Sequence, residues 1–275
     1  MSGSLLLLFV FLSAFLAPPL SRLLRMPVPV GELVIGLLLG HFLAQGVALP
    51  EILGFLADFG FLLLMFLAGL EVDFNLLRQL GRRHFVFYAL YVVGMFLGAG
   101  LLAGLLGVGL AQALILALVS IGLMVATLRD MGILGRAFAK RVLILGVLGE
   151  VASLFGLTAM EKAAHYQGLL SLLKEVGIIA LFFLLLFLAF RLAGLFLWWY
   201  PEVGRRLVYE EDPSAMGIRL SLALMFAAAV MSGLVGLESV LGAFLAGMIL
   251  SYFLQKKHDL EAKLSAMGYG FLIPI

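Results

Sequence analysis

Residues 142–160 form a run of nineteen, VLILGVLGEVASLFGLTAM, with one ionisable side chain, Glu150, near its middle. A run of that length and apolarity reads as a transmembrane helix. Glu150 then lies about as far from either surface as a bilayer allows. Such a placement costs at least ~2.5–3.5 kcal/mol unless the acid is protonated, paired or lining a wet cavity. The plain alternative is a neutral, hydrogen-bonded packing acid. Acids at this depth more often mark an ion or proton path.

The remainder of the chain agrees with a bilayer. Apolar residues make up 64% of the sequence and charged residues 12%. A soluble fold of 275 residues could not cover that much apolar surface, so an all-α polytopic membrane protein is expected, with no room for a soluble catalytic domain. Without cysteine there can be no disulfide, thiolate metal site or thiol catalysis. The four histidines are scattered singly and show no metal-ligand spacing. No cofactor, resident metal or nucleic-acid partner is expected, and the chain does not read as an enzyme. The N-terminus lacks a basic start and a small-residue cleavage site, so its apolar run is read as a retained span.

Nine spans and the start of a tenth are expected in one transmembrane domain over residues 1–275. They cover about 4–24, 29–43, 52–70, 85–106, 110–128, 142–160, 169–199, 215–235 and 239–253, and the tenth starts at Gly268. Pro18 and Pro19 should kink or end the first. A polar, basic loop is expected before Gly268, with Lys256, Lys257 and Lys263. Loops after odd-numbered spans, with their helix ends, hold sixteen of the eighteen Lys and Arg. Only Lys162 and Lys174 fall on the other side. The positive-inside rule therefore places the N-terminus outside a cell membrane crossed many times.

The second and ninth spans resemble one another. GELVIGLLLG (31–40) aligns with GAFLAGMILS (242–251), and GFLLLMF (60–66) with GFLIPI (270–275). The offset is nearly the same in both places, and the copies cross in opposite directions. Inverted repeats with discontinuous helices are typical of secondary transporters. A first repeat of about 29–163, linking spans of about 164–235 and a second repeat starting near 236 follow. The second copy stops during its second span, so the chain is expected to be a fragment that does not transport.

A midplane carboxylate can carry a proton one way and a cation the other. Burial disfavours its charged form, and either a proton or Na⁺ or K⁺ neutralises it, so the two compete. A hard monovalent cation needs further oxygens, which an unwound helix can supply. The fifth span is the candidate, with Ser120 as a hydroxyl ligand, Val119 as a backbone ligand and Gly122 to weaken the helix. Gly149, beside the acid, would permit close approach of another backbone. Glu32, Glu71 and Asp73 could line a cytoplasmic funnel, or simply answer Arg78, Arg82 and Arg83.

The series PVPVGELVIGLLLG, FGFLLLMFLAGLEVD, TLRDMGILG, GLESVLGAFLAGMILS and GYGFLIPI resembles the second cation:proton antiporter family, over nearly the whole chain and in the family's order. The resemblance implies a panel domain that dimerises, a mobile core and two broken helices crossing near the site, so a homodimer in the bilayer. It places Glu150 at the family's ion-binding aspartate and Ser120 at a hydroxyl position of the first crossing helix. Where the family usually has a polar pair, this chain has Gly149 and Glu150, and Val119 replaces a second hydroxyl. One carboxylate favours electroneutral exchange. The expected function is exchange of Na⁺ or K⁺ for protons by alternating access. A scaffold or regulatory protein that keeps the fold without transport is the alternative.

Overall fold

The structure, a computed structural model, describes residues 3–43, 51–72, 82–117, 119–163, 215–253 and 258–274, with nine single positions between 177 and 199. Among these residues the regular structure is helical, with no strand. A bilayer demands this, because a helix satisfies its backbone groups within one segment. The helices are α1 (Gly3–Leu23), α2 (Val28–Leu43), α3 (Glu51–Leu70), α4 (Arg82–Leu106), α5 (Leu110–Leu116), α6 (Ile121–Asp130), α7 (Ala137–Ala163), α8 (Met216–Leu234), α9 (Ser239–Phe253) and α10 (His258–Met267). A π-helical turn, Gly268–Leu272, follows α10 directly. Among the described residues, four helices are long and apolar enough to cross a membrane: Leu5–Leu23, Glu51–Leu70, Val86–Leu106 and Met216–Leu234. The chain is an all-α polytopic membrane protein.

Helix α3 is the central post. Its residues Leu63, Phe66, Leu67 and Leu70 pack against Met225 of α8, Ala243, Ala246 and Leu250 of α9, and Leu260 and Leu264 of α10. Met65, Ala68 and the following Val72 turn towards Ile121, Val125 and Leu128 of α6 and Leu143 of α7. Both sets repeat at helical spacing, so one helix serves two cores. Helices α4 to α7 pack on one another and form one group, whereas α3 packs with α8, α9 and α10 in a second. Helix α6 is the member of the first group that packs on both α2 and α3. Outward rows such as Leu97, Leu101 and Leu105 on α4 are exposed, as a lipid-facing surface must be.

Glycines set the closest approaches. A Cβ on Gly69 would overlap the Phe244 carbonyl, and one on Gly247 the Phe66 carbonyl, so α3 and α9 touch backbone to backbone. A second pattern follows the repeat noted in the sequence. Gly31 of α2 backs onto the buried Ser21 of α1, and Gly242 of α9 backs onto Ala228 and the buried Ser232 of α8. In both places the glycine follows its serine by ten residues. The helix before each aligned glycine therefore plays the same part, although the sequence alignment starts only at the glycine.

Three expectations need correction. Pro18 and Pro19 do not end the first span, because α1 continues to Leu23. The charged stretch before Gly268 is not a loop from His258 onwards: it forms α10, because Leu260 and Leu264, one turn apart, bury themselves in the α3 core. The fifth span is not held open at Gly122, which lies in the first turn of α6 against Leu64. The helix stops after Leu116 and restarts at Ile121. Asp73, Arg78, Lys256, Lys257 and the loop 201–213 lie outside the described residues, as does most of the seventh span.

Candidate functional site

The broken span places two half-helices end to end, α5 of 7 residues and α6 of 10. Neither could cross alone, since at ~1.5 Å per residue they rise roughly 10 and 15 Å. Ser120 marks the restart. Its backbone is extended, at φ −102° and ψ 103°, and its hydroxyl accepts the Leu123 N–H at 3.4 Å as an N-cap. Its carbonyl accepts the Met124 N–H at 3.2 Å.

Glu150 comes to this break from α7. Its Oε2 accepts the backbone N–H of Ile121, the first residue of α6, at 2.6 Å. The first N–H groups of a helix have no partner within it, and the dipole puts a partial positive charge there. A carboxylate 9% exposed thus finds electrostatic support without a basic side chain. Ser153, one turn on, is buried and donates to the Glu150 carbonyl at 3.0 Å.

Gly149 faces the break. A Cβ there would lie 3.1 Å from Val119 Cγ2, and one on Gly146 would lie 3.0 Å from Met124 Sδ. The two glycines let α7 lie close along the start of α6. The structure therefore brings together Glu150, Gly149, Val119 and Ser120, four of the residues singled out in the sequence. Among the described residues no cluster of His, Asp and Glu could hold a metal ion.

Glu71 stands at the end of α3. Together with Lys140 it lines a cavity of about 190 Å³ whose wall includes Ile121. The cavity thus runs from a charged end to the helix terminus that holds Glu150. Glu71 also lines a wider cavity of about 460 Å³ with Arg129, Lys140 and Glu261. Among the described residues its partner is Arg129 of α6, Nη2 to Oε1 at 2.6 Å; Arg78 and the side chains of Arg82 and Arg83, the expected partners, lie outside them. Glu32, the fifth residue of α2, lines a different space with Phe11 and Phe15 of α1 and with Phe271. Asp73 is outside the described residues.

Sequence reasoning passed over Arg129 and Asp130, counting the arginine only as loop charge. Arg129 also donates to Glu261 Oε1 at 3.2 Å and to Ser265 Oγ at 2.7 Å, and lies 5.0 Å from the Tyr269 ring centre. Asp130 Oδ2 accepts the N–H of Val28, the first residue of α2, at 3.1 Å. The available signal was an adjacent Arg–Asp pair ending a half-helix just ahead of the Glu150 helix.

Comparison with known proteins adds a family. The model of the family described as sodium/hydrogen exchanger, transmembrane, matches residues 11–275. A Bacillus subtilis protein named provisionally as the Na(+)/H(+) antiporter YjbQ is 27% identical over 98% of this chain and 45% of its own length. A Methanocaldococcus jannaschii protein named provisionally as Na(+)/H(+) antiporter 3 is 28% identical over 97% of this chain and 68% of its own. The Na(+)/H(+)-K(+) antiporter GerN of Bacillus cereus is 27% identical over 97% and 67%. The chain thus spans about half to two thirds of the length of these relatives.

Proposed function

The chain belongs to the sodium/hydrogen exchanger family, and from that premise we propose that the protein exchanges a monovalent cation, Na⁺ or K⁺, for protons through Glu150. The observation that carries this reading is the 2.6 Å bond from the Ile121 N–H to the Glu150 carboxylate at a helix break. The break offers a partial positive charge to the acid, and its unwound backbone offers oxygens to a cation.

Burial penalises the bare carboxylate, and a proton or a cation each removes the penalty. The two ligands therefore exclude one another at one site. Coupling follows if the site opens to one side at a time. Glu150 supplies one charge, and Gly149 adds none, so one cation leaves for each proton gained and exchange is electroneutral. The Val119 carbonyl and the Ser120 hydroxyl complete the cation's oxygens. The cavity from Glu71 to Ile121 is the access path on the cytoplasmic side, with the N-terminus outside and the cell membrane as location. The protein works as a homodimer. The shared Ser–Gly spacing supports an inverted repeat that takes in α1 and α8, so the first copy starts before residue 29.

The test is proton-coupled cation flux in vesicles containing the protein, with Na⁺, K⁺ and Li⁺ offered in turn. Glu150→Gln and Glu150→Ala should abolish exchange while the protein still accumulates in the membrane. Exchange that survives Glu150→Gln would sink this reading.

A further inference from the structure

Two adjacent residues tie the helix that supports Glu150 to the other side of the molecule. Arg129 ends α6, the element on which Glu150 is anchored through Ile121. Its guanidinium reaches Glu71 at the end of α3 and both Glu261 and Ser265 of α10. Asp130, the next residue, accepts the first N–H of α2. An acid at a helix N-terminus complements the dipole. One dipeptide therefore bonds to three helices outside the group formed by α4 to α7. Ile121 and Arg129 lie eight residues apart in one continuous hydrogen-bonded helix.

We infer that Arg129 and Asp130 form a clasp between the α4–α7 group and helices α2, α3 and α10 at the end of the Glu71 cavity, and that Arg129 is a positioning residue for Glu150. The clasp holds the two groups together at that end and so opposes their separation there. Its release widens the cavity between Glu71 and Ile121 and exposes the ion site to that side. This inference rests on Glu150 being the ion site, but the clasp itself is tested without transport. The wall of the 460 Å³ cavity fits this arrangement, because Arg129 and Glu71 both line it. Arg129 Nε and the Tyr269 hydroxyl are buried there without a hydrogen-bond partner, as expected of a contact that forms and breaks rather than a settled core.

The natural absence of cysteine makes the experiment direct. Leu148 lines the narrower cavity. Leu148→Cys is introduced, and its reaction rate with a charged, membrane-impermeant thiol reagent is measured from each side. Adding Arg129→Gln or Glu71→Gln should raise the rate from the Arg129 side about five- to a hundredfold, the usual span of such couplings. Arg129→Lys, which keeps the charge but loses the fork, should give an intermediate rate. Combining Arg129→Gln with Glu71→Gln should raise the rate no further than Arg129→Gln alone, because both remove one contact, whereas independent damage by two misfolding variants would add. An unchanged or slower rate in Arg129→Gln overturns the clasp, as does a fully additive rise in the double variant. Labelling reads water access alone, so the clasp can stand or fall whatever Glu150→Gln does to exchange.

Discussion

Glu150 and Ile121 meet at 2.6 Å across 29 residues of sequence, a side-chain carboxylate on the first N–H of a half-helix. The acid supports the break as much as the break supports the acid. Gln can accept the same hydrogen bond without bringing a charge into the membrane. Glu150→Gln should therefore leave the thermal unfolding temperature unchanged or raised, because removing a buried charge relieves desolvation. Glu150→Asp keeps the charge but withdraws it from Ile121, and should lower cation affinity about tenfold, equivalent to ~1.4 kcal/mol. Thermal unfolding followed by fluorescence, with cation titration, reads both.

Competition between proton and cation at one carboxylate has a kinetic signature. Where the proton is the dominant competitor, apparent KM for Na⁺ should rise about tenfold for each unit fall in pH, as linkage through one exchanged proton requires. The rate should not respond to a clamped membrane potential, because no net charge crosses. A pH series in vesicles, repeated with a potassium diffusion potential, checks both. A steeper slope would mean a second titrating group.

Ser120 has a structural task and a proposed ligand task, and substitutions separate them. Ser120→Ala should cost about 1 kcal/mol through loss of the cap. Ser120→Thr keeps both the cap and the hydroxyl and should behave as the natural protein. Ser120→Asp keeps the cap and adds a second acid beside Glu150. Its transport should become sensitive to membrane potential if Ser120 touches the cation. Equal cation affinity in all three would leave Ser120 as a cap alone.

The Gly149 and Gly247 contacts differ in what they meet. At Gly149 a Cβ meets the side chain of Val119 at 3.1 Å, and Val119 can shift slightly. Gly149→Ala should be mild, whereas Gly149→Val should cost ~1–3 kcal/mol by overpacking and displace the break. At Gly247 the obstacle is the Phe66 backbone, which cannot give way. Gly247→Leu should prevent a folded product, as read by size-exclusion chromatography in detergent.

Much of this was legible in the sequence because the bilayer leaves few choices. The span carrying Glu150 follows from apolar length and one isolated acid, whereas the restart at Ser120 does not, because Gly122 looked like the weaker point of that span. The nearness of Glu150 to the fifth span was an expectation of the resemblance, since nothing local in either segment names its neighbour. Three further things were not legible. Residues 258–267 look like a charged loop because their apolar positions are few, and only the core around α3 shows what Leu260 and Leu264 are for. The partner of Glu71 could not be read, because Arg129 lies 58 residues away and nearer arginines carry the same charge. The likeness of the Gly31–Ser21 and Gly242–Ser232 contacts could not be read either, because the two serines match by what touches them, amid otherwise different residues.

The backbone contacts at Gly69, Gly247 and Gly242 leave α3, α8 and α9 no slack. Helices seated that tightly cannot slide by a fraction of an ångström without collision, so they behave as one stiff frame. At the break between α5 and α6 the close approach is of another kind, since Gly149 meets the side chain of Val119 rather than a backbone. A side chain can turn aside where a carbonyl cannot, so small adjustments beside Glu150 cost less than any between α3 and α9.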